Sequence, residues 1–467
     1  GCTMGDGGGR GWGAHVGLRT VAMLTGGIGG GASVLPPIPR LHATSPVPSS
    51  VPAQFSLHTL EAVDPTAVCL DGTPGAFYYA PATRTGPRPV TKWLIWGEGK
   101  GWCLSDAECA TRARSTDGRG GWSASGWPAQ PGSLPSTLPW GDAPCVVGGT
   151  PGQAWGCQLS NDCAKNPAFC DFNMVYLKTC DGGSWIGNRN DPIPLDTGLS
   201  HHSTAPPATA PKFNTGHADT ASTADPTRSA ELHYRGRAIL DAVGMALGGL
   251  GIGAATEIVV GGGSAGALGV YIHLDHWNRI LNRDATKRVV GLADCGFFQD
   301  WRNGSYHQGF EWMASPQGMN ASGDPACITA HRTQPNLCLM AEHAAPFIDT
   351  PMIALQAKFD SYQIPNICGS DCRTPAGIQA YGDALVAKLA SSVLAKPGNA
   401  AVVDSCYHHC GGYDTYRVDN LSQAEAVRIW YTDGVFALPN NGRLLSTAPY
   451  PCTSCCQGGC ASVNRQV

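Results

Sequence analysis

The stretch from Glu257 to Trp277, EIVVGGGSAGALGVYIHLDHW, limits the possible folds of this chain more than any other. Its opening residues form a short apolar run of the kind a buried parallel strand shows, and ALGVYIHLDHW has helical spacing. Between them, Gly262-Gly263-Ser264-Ala265-Gly266 fits G-x-S-x-G, a strand-to-helix turn so tight that side chains two positions either side of the serine would clash. Glycines let the backbone take that turn and push the Ser264 hydroxyl out at the strand end. Because the chain holds 61 glycines, a chance match is easy, and an ordinary glycine-rich turn is the competing reading. The strand before and the helix after favour a nucleophile. A second glycine cluster, Gly248 to Ala255, contains G-x-G-x-x-A, but it precedes the strand, whereas a dinucleotide fingerprint follows one. It reads as a loop.

Thr91 to Trp96, Asn173 to Leu177 and Pro351 to Ala357 are further short apolar runs. Leu232 to Met245, Ala265 to Trp277, Pro375 to Ala395 and Ser422 to Tyr431 have helical character. Strands alternating with helices predict the α/β class, with a mostly parallel sheet covered on both faces. Residues 1–56 are rich in Gly, Pro and Ser and read as leader and linker; LRTVAMLTGGIGGGAS within them loosely resembles a signal peptide, with a Gly-rich leader as the alternative. A single domain is expected over 57–462, followed by a short tail at 463–467. About 191–230 the chain has hardly any large apolar residues, which predicts a surface insertion. Its His201-His202 pair reads as solvated loop rather than metal site.

Twenty cysteines, scattered from Cys2 and Cys69 to Cys460, are not grouped with histidines as zinc ligands are; they point to disulfides and a secreted or luminal protein. A metal site among Cys368, Cys372, Cys406, Cys410 and the cluster around Cys452 is the lesser reading. Three N-glycosylation triplets, at Asn303, Asn320 and Asn420, agree with that route. Lys+Arg at 31 against Asp+Glu at 35 gives no electrostatic case for nucleic acid or an anionic membrane. No run approaches the roughly 18 apolar residues of a membrane span.

A serine nucleophile needs a base, and the base an orienting acid, in the order Ser, Asp or Glu, His for this fold. Asp360, just past the apolar run in PMIALQAKFDSYQI, is the best-placed acid; Asp294 and Asp300 compete. Of the downstream histidines, His408 and His409 lie in DSCYHHCGG, framed by Cys406 and Cys410, whose cross-linking would fix the ring. Order and position select Ser264, Asp360 and one of that pair. WGEGKGWC follows a strand and can present backbone N–H groups, so Gly101 and Trp102, with the amide of Ala265, are the candidate oxyanion donors.

Several segments together resemble the pectin acetylesterase family, which also includes Notum-type carboxylesterases: AVCLDGTPGAFYY, WLIWGEGKGWC, NPAFCDFNMVYLKTCDGGSWIG, GGSAGALG, LADCGFFQD, AKFDSYQI and SCYHHC occur in the family's order. The resemblance implies a secreted, disulfide-rich, α/β-hydrolase-like esterase with a Ser-His-Asp triad and neither metal nor organic cofactor. It assigns the nucleophile to Ser264, the acid to Asp360 and the base to His409, which directly precedes the second cysteine of its motif. The implied oxyanion donors correspond to Gly101, Trp102 and Ala265. His408 stands where the family usually has a small residue, and it is a candidate substrate contact. Lys100 replaces a glycine and is a second, placed to meet a uronate carboxylate. Gly263 replaces a cysteine, removing one disulfide partner.

The implied activity is deacetylation of a pectin-like polysaccharide by a secreted or cell-wall monomer. The alternatives are a Notum-like carboxylesterase that removes a fatty acyl group from a protein, and a silent glycan-binding homologue.

Overall fold

The computed structural model describes residues 55–82, 90–114, 157–194, 231–318 and 322–452. Most of the leader, the insertion beyond residue 194, the His201-His202 pair, Asn320 and the C-terminal tail lie outside the described residues.

Among the described residues, nine strands form one sheet. They are β1 (Ser56–Thr59), β2 (Ala76–Ala80), β3 (Lys92–Gly97), β4 (Asn173–Leu177), β5 (Glu257–Gly263), β6 (Arg288–Asp294), β7 (Met352–Ala357), β8 (Ala400–Asp404) and β9 (Arg443–Leu445). Their order is β1-β2-β4-β3-β5-β6-β7-β8-β9. β1 and β2 pair antiparallel, as do β2 and β4, and every later neighbour is parallel. This is the α/β architecture that the alternation of segments predicts, with an antiparallel edge added.

The strands read as continuous apolar runs because both faces are covered, so alternate side chains enter two different cores. Ile95, Val175, Ile258 and Val260 face one core, where α2 (Gly236–Gly249) and α3 (Ala265–Leu281) contribute Val243 and Leu268. Leu94, Met174, Val259, Leu355 and Val402 face the other, against Val427 and Trp430 of α6 (Gln423–Asp433). The remaining helices used below are α1 (Asp106–Arg114), α4 (Ser305–Ala314) and α5 (Pro375–Ser392). α6 starts on a capping box, Ser422 to Glu425 and back, which satisfies two donors that the first turn would otherwise leave open.

Among the described residues, disulfides join Cys69 to Cys180, Cys103 to Cys109, Cys163 to Cys170, Cys295 to Cys410, Cys327 to Cys338 and Cys368 to Cys372. Cys157, Cys406 and Cys452 are disulfide-bonded as well. The expected Cys406–Cys410 link is therefore corrected: Cys410 takes Cys295, which emerges just past the end of β6 with the two Cα atoms 4.9 Å apart. Nearness in the chain misled because the bond ties two loops at the sheet's edge to each other. Among the described residues no helix is long and apolar enough to cross a membrane.

Candidate active site

In parallel register Gly97 of β3 pairs with Gly262, Gly263 of β5 with Asp294, and Asp404 of β8 with Ala357 of β7. The loops that follow these strands therefore open at one edge of the sheet, the carboxyl edge where open α/β sheets place their ligands. Ser264, Asp360 and His409 all lie in these loops.

Ser264 sits between β5 and α3 with φ +53°, a backbone conformation that a residue with a side chain seldom adopts. Its N–H donates to the Asp294 carbonyl at 2.9 Å, which holds the turn against β6. A Cβ on Gly262 would come within 2.4 Å of the Gly266 carbonyl carbon, so the elbow closes only around glycine. A serine at the start of a helix ordinarily caps its first N–H groups. Ser264 makes no such cap. Its hydroxyl instead lies 2.9 Å from His409 Nε2.

On its other side the imidazole meets Asp360, with Nδ1 2.9 Å from both carboxylate oxygens. A carboxylate accepts only, so Nδ1 carries the proton and Nε2 is left as acceptor for the Ser264 hydroxyl. Asp360 is fully buried and also accepts from the backbone N–H groups of Tyr362 and Gln363 and from Gln356 Nε2. Burial opposes its charge. The imidazole of His409 and the two backbone donors outweigh that cost and hold its carboxyl below the ordinary value.

Two rival acids are otherwise engaged. The Asp294 carboxyl accepts from Gln158 Nε2 at 2.8 Å, and burial raises it to about 7. Asp300 pairs with His307 at 2.8 Å. His408 points away from Ser264: its Nε2 lies 3.1 Å from both oxygens of Asp404 and its Nδ1 3.2 Å from the Cys410 carbonyl. Burial disfavours its charge, but Asp404 and the Cys410 carbonyl win and raise it to about 9. With both ring nitrogens bound internally and the side chain buried, the candidate substrate contact at His408 is corrected to an internal ion pair.

The loop after β3 runs directly beside the serine. A Cβ on Gly99 would stand 2.4 Å from the Gly263 carbonyl oxygen and 2.8 Å from Ser264 Cβ, a closeness that sequence inspection missed among so many glycines. Within the described residues the backbone N–H groups of Gly101 and Trp102 make no hydrogen bond. That of Ala265 opens α3, one of the donors a helix start leaves unpaired. Lys100 lies in the same loop. Glu98 is buried, which opposes its charge, yet Lys178 at 2.6 Å and the nearby Lys100 keep its carboxyl below the usual range.

Aromatic rings crowd the base. Tyr362 and Phe298 lie 5.1 and 6.0 Å from the His409 ring, and Phe298 packs edge-on against Trp102 at 4.9 Å. Tyr306 and Phe310 of α4 back Trp102 from behind. Cys295, His409 and Cys410 form the single cluster of metal-ligand type among the described residues, but its two sulfurs are joined to each other and offer no thiolate.

A glycine elbow presenting a serine at the carboxyl edge of a mostly parallel sheet, with an imidazole in reach, defines the α/β-hydrolase class. Within that class the chain belongs to the pectinacetylesterase family, whose model matches residues 50–128 and 215–457. It is 27% identical to pectin acetylesterase 11 of Arabidopsis thaliana over 400 residues, covering 79% of this chain and 85% of that protein. It is 24% identical to the palmitoleoyl-protein carboxylesterase Notum of Drosophila melanogaster, covering 80% of this chain and 48% of the other. The solved structure of the Drosophila Wnt deacylase Notum superposes with a TM-score of 0.62 at 22% identity, over 87% of this chain and all of that one, and shows the shared fold. The protein is a carboxylic ester hydrolase.

Proposed function

We propose that this chain is a secreted serine esterase that removes acetyl groups from the hydroxyls of an acetylated, pectin-like polysaccharide, acting as a monomer by way of an acyl-enzyme. The observation that carries the reading is the hydrogen-bonded series from Ser264 Oγ through His409 to Asp360, 2.9 Å at each step. Ser264 Oγ attacks the ester carbonyl while His409 Nε2 takes its proton, and Asp360 holds the resulting imidazolium. The amides of Gly101, Trp102 and Ala265 receive the negative charge that develops on the carbonyl oxygen. As the tetrahedral species collapses, the bond to the sugar oxygen breaks and His409 returns its proton to that oxygen, leaving Ser264 acetylated. Water then attacks the acetyl carbonyl with His409 as base, and acetate leaves.

Two features favour a short acyl group. The buried rings of Phe298, Tyr306 and Phe310 pack on Trp102, with Phe298 also beside His409, and relatives at 27% and 25% identity are named pectin acetylesterases. The disulfides favour an oxidising compartment. A series of nitrophenyl esters of rising chain length, together with acetate release from acetylated polysaccharides, tests the reading. Preference for acetate is the expected result, and preference for a long acyl chain would replace it with a Notum-like specificity.

A further inference from the structure

Beyond the proposed catalytic residues, one buried hydroxyl joins the two elements that carry the candidate oxyanion donors. Ser184 is 1% exposed. Its Oγ accepts from Trp102 Nε1 at 2.6 Å and donates to the Ala265 carbonyl at 2.7 Å, while its own carbonyl lies 3.1 Å from Nε2 of His273, midway along α3. Trp102 belongs to the loop after β3 and Ala265 to the first turn of α3. Those are the two sources of the amides assigned above.

The backbone around Ser184 is held in a costly shape. Ser184 and Trp185 follow one another with φ +54° and +62°, and a bulky residue in that region is a true outlier. Each such residue carries a conformational cost and persists only where its surroundings over-determine it. Here they do. Asp181 Oδ2 accepts the Trp185 N–H at 2.7 Å, and the Trp185 indole fits against Gly97 of β3 and Gly269 of α3, where a Cβ would come within 2.8 and 2.9 Å of the ring. The segment is thus wedged between the strand leading to the Trp102 loop and the helix that begins after Ser264.

We infer that Ser184 is a positioning residue for ester hydrolysis: its hydroxyl fixes the separation between the Trp102 loop and the first turn of α3, so that the amides of both converge on one oxyanion. The inference rests on the proposed roles of Ser264 and of those amides. Ser184 touches no substrate, since its proton and the lone pair facing Trp102 are both committed to the protein.

The test uses the full chain with nitrophenyl acetate, counting active sites with a serine-directed phosphonate. Ser184→Ala is expected to lower kcat per labelled site by about tenfold or more with KM within about twofold, because misplaced donors weaken the transition state more than the ground state. Trp102→Phe removes the indole N–H, and its loss is expected not to add to that of Ser184→Ala in the double variant. Ser184→Gly keeps the left-handed backbone if alanine impairs folding. Unchanged kcat per labelled site, a loss confined to KM, fully additive losses, or unfolding of both Ser184 variants would each overturn the inference. Turnover close to wild type by Ser264→Ala would instead sink the underlying reading, so the two failures are distinguishable.

Discussion

Ser264 Oγ stands 2.9 Å from His409 Nε2, although the two residues are 145 positions apart and the serine occupies a helix start where its hydroxyl would ordinarily bond to its own backbone. The imidazole outcompetes the helix because Ser264 takes φ +53°, ψ −121°, which aims its side chain off the helix axis. A capping bond is exchanged for a proton acceptor.

Replacing that hydroxyl is the most direct test of the proposed mechanism. Ser264→Ala is expected to reduce turnover of a small acetyl ester by about 10⁴-fold or more while leaving the denaturation midpoint nearly unchanged. Kinetics and a thermal melt on one preparation check both halves, and turnover close to wild type would refute the assignment.

Acid should silence the enzyme through the same bond. A proton on His409 Nε2 removes the acceptor for the Ser264 hydroxyl, so kcat/KM falls as pH is lowered. Asp360 works in the same direction at lower pH: its carboxyl is held below the ordinary value, so the stability it contributes is present above that value and lost as pH falls through its folded value. A pH–rate profile with a parallel stability series separates the two. A rate indifferent to acid would exclude His409 as base.

His408 carries the opposite sign. Its folded value is raised to about 9, so the stability of the His408–Asp404 pair is fully present below the ordinary histidine value and is lost as pH rises through about 9. Asp294 and Tyr416 also lie close to the pair. His408→Leu strands Asp404 in the interior and is expected to cost about 3 kcal/mol at neutral pH, with a flatter alkaline limb than wild type. Denaturant titrations across the alkaline range measure this, and equal slopes for the two proteins would show that the pair adds nothing.

Gly99→Ala probes the loop beside the serine. The added methyl meets the Gly263 carbonyl at 2.4 Å, so either the loop or the elbow must shift. A displacement of that kind is expected to cost about 100-fold in kcat. Steady-state kinetics on nitrophenyl acetate reads the loss directly.

The Cys295–Cys410 bond closes 115 positions of chain and anchors the residue next to His409. Removing it as Cys295→Ala with Cys410→Ala is expected to destabilise the fold by about 2–5 kcal/mol and to lower kcat. Denaturation and kinetics of the double variant test both, and full activity would show that the remaining contacts suffice to hold the ring.

Much of the architecture was legible along the chain. Asn173–Leu177 is a strand over the span its apolar run marks, and α5 and α6 lie within two or three residues of their expected limits, because each buries a face that its own residues declare. Two-sided burial also explains what was missed. Arg288–Asp294 and Ala400–Asp404 are interior strands of the sheet whose β-branched residues come only as adjacent pairs, Val289-Val290 and Val402-Val403, too few to show a period. The pairing of Cys295 with Cys410 had no local mark at all.

By itself, the order of residues determined the α/β class, the tight glycine turn at Ser264 and a small set of acids and bases downstream, because backbone sterics and hydrophobic periodicity act over a few neighbours. Read without the family resemblance, which assigned His409, it did not decide which of two adjacent rings faces the serine. The tertiary structure decided that, since His408 finds a buried carboxylate in Asp404 while His409 is turned toward Ser264 and Asp360. Selection of this kind depends on groups far apart in sequence meeting at one sheet edge, and only strand pairing brings them there.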